Sequence, residues 1–262
     1  MSPHNQQALS DDCKGDNNMD TIAIDTDSID KELDRRGYVI IHDAGIERTC
    51  LEAREEYLRC LHKSRLHATR ERFHYGVLSN EPWRKLAIGS ANGLGDPYAQ
   101  NLQSIYFDAN DRNYPALGSL FNTMLQIRNR LMGVDLCFGS NPEKDRFWNA
   151  CRIHHYPRGG GFMAIHKDTH FPQVIAAQIG KPFYQVCVLL SRKNTNFFSG
   201  GGVIYDKEQN KIDLEIEGGF GSLILFDGRT YHGVEDVDLD QVIDFSRSDG
   251  RLAAFVNVYS VM

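Results

Sequence analysis

The chain has 262 residues and a mass of 29.7 kDa, a length at which β-sandwiches and β-barrels usually form one domain. Its composition, with 41% hydrophobic and 24% charged residues, is that of an ordinary globular protein. A formal net charge of −6 argues against a non-specific grip on nucleic acid or anionic membranes, and no apolar stretch reaches membrane-spanning length. We therefore expect no nucleic acid and no membrane among its partners.

Six cysteines are scattered along the chain without a Cys-x-x-Cys pair, and the N-terminus lacks the basic and apolar segments of a secretion signal. These features predict reduced, packed thiols rather than a disulfide framework or a zinc site. The expected location is the cytoplasm. The sequence carries no signal for the oligomeric state.

Residues 1–27 are polar and acidic, and they predict a mobile tail. A single domain over residues 28–262 is expected to follow it. Hydrophobic spacing divides this domain into a helical part over 28–146 and a β-rich core over about 147–262.

The helical part is defined by capping residues and by apolar residues at helical spacing. Its predicted elements are a short helix between an N-cap at Ser28 and a stop at Gly37, a strand over 38–41, and helices over 47–63 and 116–132. Residues 64–115 show no clear period. They predict an irregular segment, either a substrate-facing loop region or a packed surface excursion.

Short β-rich runs separated by glycine turns follow, and they predict a sandwich or barrel. The fold class expected for the chain is therefore mainly β with N-terminal helices (α+β). The predicted strands are Ala150–Tyr156, Tyr184–Leu190, Val203–Tyr205, Ile212–Ile216, Ser222–Phe226 and Leu252–Val261.

Two histidines and one carboxylate carry the strongest chemical signal. His166 and Asp168 stand two residues apart, so along an extended segment their side chains point to the same face and can grip one metal. His232, from a distant strand, would complete the facial triad that holds non-heme Fe(II) with open positions. A zinc pair of His166 with His170 would need a helix, and Pro172 argues against one.

The surrounding landmarks resemble the Fe(II)- and 2-oxoglutarate-dependent oxygenases, whose core is a double-stranded β-helix, or jelly-roll (cupin-like), barrel. The resemblance covers roughly residues 150–260, with a looser similarity at 35–41. The landmarks, in family order, are His154-His155-Tyr156-Pro157, the His-x-Asp pair, Gly200–Tyr205, Gly221–Asp227 leading to His232, and a closing strand Gly250–Phe255 that begins with an arginine.

By this resemblance, His166, Asp168 and His232 are the iron ligands, and the cofactors are Fe(II), 2-oxoglutarate as cosubstrate and O2. The family converts 2-oxoglutarate and O2 to succinate and CO2 while a substrate is oxidised, and the protein supplies positioning and exclusion of water. Relatives that halogenate lack the carboxylate ligand. The presence of Asp168 therefore favours hydroxylation or another oxidative outcome.

The resemblance also implies a cation for the distal carboxylate of 2-oxoglutarate, because a guanidinium makes two parallel charge-assisted hydrogen bonds to it. Arg251, at the start of the last predicted strand, is the candidate, and Arg247, in a turn-like stretch, is the rival. The chain departs from the family pattern in two ways. The gap before the arginine is longer, through an acidic stretch at 235–249, and Ala253 replaces the serine of Arg-x-Ser.

Tyr156 and His154 share one face of their strand by the period of two. In relatives with an Asn-x-Tyr-Pro step these positions contact 2-oxoglutarate, and here His154 replaces the asparagine. Arg152 and Gln185 are expected to face the barrel interior as well, and His155 is expected to point away from it.

The sequence therefore predicts an Fe(II)/2-oxoglutarate-dependent dioxygenase, a hydroxylase of a small-molecule substrate. The small-molecule preference rests on the acidic charge and on the lack of basic or peptide-docking extensions. The alternative is a cupin-type metal-binding isomerase or non-catalytic sensor that does not use 2-oxoglutarate. Arg251 with Tyr156 discriminates between them, since the alternative has no reason to place these residues at the closed end of a barrel.

Overall fold

A computed structural model gives the fold of the chain. The residues it describes are 25–42, 45–64, 66–67, 81–91, 97–168, 180 and 183–261. The predicted tail lies outside these ranges except for residues 25–27, and His170 lies outside them too. Within the described ranges, no helix combines the length and apolarity needed to span a bilayer.

In the described residues, the long helices precede residue 132 and most strands follow residue 146. The helices are α1 (Thr26–Arg36), α2 (Glu47–Leu61), α3 (Pro115–Leu131), α4 (Pro142–Asp145) and α5 (Leu214–Glu217). The strands are β1 (Tyr38–Ile41), β2 (Leu66–His67), β3 (Trp83–Ala91), β4 (Tyr98–Phe107), β5 (Phe147–Pro157), β6 (Gly161–His166), β7 (Tyr184–Leu189), β8 (Gly201–Tyr205), β9 (Lys211–Asp213), β10 (Leu223–Asp227), β11 (His232–Val237) and β12 (Gly250–Ser260).

The strands form one sheet that folds into two facing halves. Its order runs β1-β10-β7-β12-β5-β4-β6-β11-β8-β9, with antiparallel pairing throughout this path. Strands β10, β7, β12 and β5 form one half, and β6, β11, β8 and β9 form the other. Side chains from both halves line a single internal cavity, so the sheet encloses an interior as a jelly-roll does.

The predicted irregular segment over 64–115 is wrong in part, because it contains strands β3 and β4. Strand β4 pairs with β5 through Ser104 and His154, and with β6 through Gln100 and Met163. It therefore links the two halves of the sheet. Its own sequence shows no clear alternation, since pairing with neighbouring strands, rather than local propensity, decides its conformation.

The start of α1 and the end of one predicted strand also differ from the prediction. Helix α1 begins at Thr26, because Asp25 rather than Ser28 is its N-cap and accepts a hydrogen bond from the Ser28 N–H. The predicted strand Ile212–Ile216 ends early. The carboxylate of Asp213 accepts from the N–H groups of Glu215 (2.9 Å) and Ile216 (3.2 Å), which starts α5 at Leu214.

Helices α2 and α3 pack on the outer face of the first half of the sheet. Their apolar residues form one core with outward-facing residues of β7, β10 and β12. Glu56, buried in α2, accepts from the N–H groups of Ala116 (3.2 Å) and Leu117 (2.8 Å), which satisfies two free donors at the start of α3. The helices thus cover the outer face of this half of the sheet, and its inner face lines the cavity.

Strand β5 divides these two environments. Cys151 and Ile153 belong to the outer core beneath the helices. Arg152, His154 and Tyr156 point the other way and line the cavity. This alternation follows the period of two that the sequence predicts.

Candidate metal centre

Three side chains converge where β6 ends and β11 begins. His166 and His232 occupy paired positions on these adjacent antiparallel strands, and Asp168 follows two residues after His166. One ligand atom from each residue lies within 4.8 Å of the others. The Nε2 atom of His166 is 3.7 Å from Asp168 Oδ1, and that of His232 is 3.6 Å from Asp168 Oδ2.

Backbone carbonyls fix the orientation of both imidazoles. The Nδ1 atom of His166 lies 2.8 Å from the Ala164 oxygen, and that of His232 lies 2.9 Å from the Thr230 oxygen. A carbonyl only accepts, so each Nδ1 carries the proton and each Nε2 lone pair faces the aspartate. Burial lowers the pKa of both histidines to about 4, which keeps them neutral at physiological pH.

Asp168 is buried, and burial raises its pKa, while the charge of Arg152 acts in the opposite direction. Its Oδ2 atom accepts a hydrogen bond from the Gln185 side-chain amide. Its Oδ1 atom has no hydrogen-bond partner among the described residues.

These donors suit a divalent metal ion. Two neutral imidazoles and one carboxylate form a known ligand set for Fe(II). A buried carboxylate oxygen without a hydrogen bond is costly unless a cation binds it. The predicted triad of His166, Asp168 and His232 is therefore brought together in an arrangement that fits a metal.

One aromatic ring packs against each of the two imidazoles. The ring of Tyr98 stacks on His166, with centroids 4.0 Å apart and an interplanar angle of 22°. The ring of Phe226 packs on His232 with centroids 4.7 Å apart. Tyr98 belongs to the segment predicted to be irregular, so no sequence pattern indicates that it lies beside the triad.

Arg251 lies in the same cavity, at the start of β12. It is 2% exposed, and its Nε atom donates to Glu215 Oε1 over 2.6 Å, while its Nη1 atom has no partner among the described residues. The same Glu215 oxygen accepts from the Gly202 N–H over 3.0 Å. A Cβ at Gly202 would lie 2.4 Å from Arg251 Nη2, so any other residue there would force the guanidinium to shift from its present position.

The structure separates the two candidate arginines. Arg247 has a side chain that is 61% exposed, and it forms an ion pair with Asp249 over 2.7 Å. It does not line the cavity, whereas Arg251 does. Glu215 is not predicted as a site residue, because it lies in a segment predicted as a strand and meets Arg251 only through the fold.

His154 and Tyr156 line the same cavity and contact each other. Their Nδ1 and Oη atoms are 3.3 Å apart, and His154 Nε2 accepts a hydrogen bond from Arg152 Nε over 2.7 Å. That bond places the ring proton on Nδ1. Arg152 and Gln185 also line the cavity, as the sequence predicts. His155 faces the other way and contacts Gln103.

Comparison with known proteins supports the fold. No protein-family model matches the sequence, and no curated protein matches it. A prolyl hydroxylase in complex with a hypoxia inducible factor oxygen degradation domain peptide fragment, from Trichoplax adhaerens, matches with a TM-score of 0.53 and 12% sequence identity, covering 99% of this chain and 94% of that one. A prolyl-4-hydroxylase from Pseudomonas putida matches with a TM-score of 0.53 and 15% identity, covering 88% and 96%. The chain therefore has the jelly-roll fold that the sequence predicts, the fold of the Fe(II)- and 2-oxoglutarate-dependent oxygenases.

Proposed function

We propose that this chain is an Fe(II)- and 2-oxoglutarate-dependent dioxygenase that hydroxylates, or otherwise oxidises, a small molecule. One observation carries the proposal, namely two complementary ends within one cavity. At one end Asp168 Oδ1 has no hydrogen-bond partner among the described residues, and at the other Arg251 Nη1 has none. A 2-oxo dicarboxylate, with a chelating end and a distal carboxylate, matches a metal at the first end and a guanidinium at the second.

His166, Asp168 and His232 would hold Fe(II). When bound, the iron supplies the redox chemistry that couples 2-oxoglutarate and O2 to oxidation of a substrate, with succinate and CO2 as products. The protein keeps both imidazoles neutral by burial and orients them through the Ala164 and Thr230 carbonyls. The amide of Gln185 orients the carboxylate.

Arg251 would bind the distal carboxylate of 2-oxoglutarate. Glu215 already engages its Nε atom, which fixes the plane of the guanidinium and leaves Nη1 to the ligand. The Tyr156 ring lies 5.4 Å from the Arg251 carbon Cζ and forms the adjoining wall. The site is thus preorganised by side chains whose own positions are fixed by burial.

The rest of the cavity wall would exclude water from the reacting groups. Apolar residues from both halves of the sheet surround the space between its ends. These residues are Val203, Ile204, Phe226 and Val234 of the sheet, and Leu214 of α5 joins them.

The finer parts of the proposal have separate support. A small-molecule substrate is supported by the acidic net charge and by a site set inside the barrel. Hydroxylation is supported by Asp168, which occupies the position that halogenating relatives leave without a carboxylate. A cytoplasmic location is supported by Cys50, Cys60, Cys151 and Cys187, whose thiols are reduced and buried.

One observation favours a second candidate, a cupin-type metal-binding protein that does not use 2-oxoglutarate. Arg251 already has a buried carboxylate partner in Glu215, with side chains that are 2% and 1% exposed. An arginine that served only the barrel core would have such a partner. The two candidates therefore differ in whether a dicarboxylate binds at Arg251.

The test is an anaerobic titration of the Fe(II)-loaded protein with 2-oxoglutarate, followed through the weak visible charge-transfer band of the chelate. The band is expected to grow to saturation in the natural protein and to be absent from His166→Ala. Succinate formation on admission of O2 is the second readout. A folded protein that binds Fe(II) but develops no band would support the second candidate instead.

A further inference from the structure

We infer that Arg152 binds a carboxylate of the substrate, so that the substrate is an anionic small molecule. The inference rests on the proposed function, which assigns Arg251 to 2-oxoglutarate and so leaves a second arginine in the cavity wall. Arg152 is 6% exposed, points inward from β5 and lines the same cavity as the metal ligands.

Arg152 lies at the metal end, away from Arg251. In the β5–β12 register Arg251 pairs with Tyr156, whereas Arg152 pairs with Phe255. The two positions are four residues apart, which is about 13 Å along an extended strand. Arg152 is close enough to Asp168 for its charge to act on that carboxylate. One dicarboxylate bound at Arg251 and the metal therefore leaves Arg152 to another molecule.

The hydrogen-bond partners of Arg152 are uncharged. Its Nε atom donates to neutral His154 over 2.7 Å, and its Nη1 atom donates to the Tyr259 hydroxyl over 2.8 Å. The rings of Tyr106 and Phe255 lie 5.8 and 5.9 Å from its Cζ atom. Among the described residues, no carboxylate lies within ion-pair distance of Arg152, and none accepts a hydrogen bond from Nη2.

A buried guanidinium without a counter-ion has lost hydration that neutral acceptors only partly replace. An anion that enters the cavity restores the charge balance and gains a charge-assisted hydrogen bond at Nη2. Arg251 shows the contrast, because Glu215 already supplies its counter-ion. Arg152 differs in that no carboxylate of the described residues lies within ion-pair distance of it, so an anion beside it would be its first close counter-ion.

Arg128 shows that burial alone does not make such a site. It is fully buried and donates to the amide oxygens of Asn129 and Asn149, yet it does not line the cavity. A ligand reaching the metal would meet Arg152 and would not meet Arg128. The inference thus depends on placement as well as on charge.

The test compares two probes of nearly equal shape, propionate and propionamide, on the anaerobic protein saturated with Fe(II) and 2-oxoglutarate. Binding is followed by the change in the visible band and by the rise in Tm. Propionate is expected to bind about tenfold or more tightly than propionamide, the gain from one charge-assisted hydrogen bond. Saturating 2-oxoglutarate keeps Arg251 occupied during the titration.

Three variants locate the effect. Arg152→Gln should lose the preference for propionate, and Arg152→Lys should keep part of it because the charge remains. Arg192→Gln is the matched control, since it removes one arginine charge from an exposed pair with Glu47, outside the cavity. It should behave as the natural protein does. If Arg152→Gln does not fold, the inference is still tested by Arg152→Lys and by comparing the binding of propionate and propionamide to the natural protein.

Equal binding of propionate and propionamide to the natural protein would overturn the inference, as would propionate binding that Arg152→Gln leaves unchanged. So would a loss of 2-oxoglutarate affinity in Arg152→Gln as large as the loss for propionate, because Arg152 would then serve the cosubstrate. A natural protein without a charge-transfer band is a separate result. That result would contradict the proposed function itself, not only the role of Arg152.

Discussion

His154 and His155 are neighbours on β5, both buried, yet they face different regions of the molecule. His155 faces the helices, where it lies 2.9 Å from the Gln103 amide and 2.9 Å from the Asp249 carbonyl oxygen. His154 faces the cavity, where its partners are Arg152 and Tyr156. Burial lowers the pKa of both. Burial therefore does not separate a structural histidine from a site histidine, whereas the identity of the partners does.

The largest effect is expected on the cavity side, at the proposed metal ligands. His166→Ala or His232→Ala should abolish Fe(II) binding and succinate formation, because two ligands leave the metal without its facial set. The fold should survive, since neither ring belongs to the core beneath the helices. Metal content after dialysis, succinate yield and circular dichroism measure this. Turnover that persists in either variant would exclude that residue as a ligand.

On the helix side, the expected effect is on stability and its pH dependence. Burial lowers the pKa of His155 from 6.5 to about 4. Between these values the unfolded chain binds more protons than the folded one, so stability falls as the pH falls from 6.5 to 4, by up to roughly 3 kcal/mol from this residue.

His155→Gln should remove that share of the slope, because glutamine does not titrate. Urea unfolding of the metal-free protein across this pH window measures the change, and the affinity of the folded protein for 2-oxoglutarate should stay within about twofold. An unchanged slope would show that His155 is not buried in its neutral form.

Elsewhere in the cavity wall, Arg251→Ala should raise the Kd for 2-oxoglutarate about a hundredfold, the effect of losing a buried charged partner. Iron binding should change little. Arg247→Ala is the matched control, because that side chain is exposed and outside the cavity. The anaerobic titration measures both variants.

Arg251→Ala also leaves Glu215 buried without its partner, which lowers stability. The double variant Arg251→Met with Glu215→Leu removes both charges and tests binding without this penalty. Should Arg247→Ala weaken binding while Arg251→Ala does not, the assignment of the cation would be reversed.

The smallest effect is expected from Glu215→Gln. Glutamine retains an oxygen that accepts from Arg251 Nε and the Gly202 N–H, but it removes the negative charge that opposes a bound dicarboxylate. The Kd for 2-oxoglutarate should fall by up to about tenfold. Weaker binding in this variant would mean that the charge of Glu215, and not only its shape, is needed to orient Arg251.

The sequence predicts that His166 and Asp168 lie together because their signal is local. His166 and Asp168 are two residues apart on an extended segment, and the alternation of β5 assigns His154 and His155 to opposite faces. The strand pattern likewise favours Arg251 over Arg247. Each of these inferences needs only the period of a strand.

The rest depends on contacts between distant segments. Glu215 meets Arg251 across 36 positions of sequence, after a cap at Asp213 that interrupts an apparent strand. Tyr98 reaches His166 because β4 pairs with both β5 and β6. Periodicity does not encode such pairings, so the counter-ion and the stacking ring are found only in the folded chain.

Gly202 has a consequence for how related sequences can diverge. Even a methyl group at this position would collide with the Arg251 side chain. Related sequences with arginine at position 251 are therefore expected to have glycine rather than alanine at position 202. Sequences without that arginine can have alanine at position 202. The two positions should change together, and a sequence in which they disagree would have rebuilt this end of its barrel.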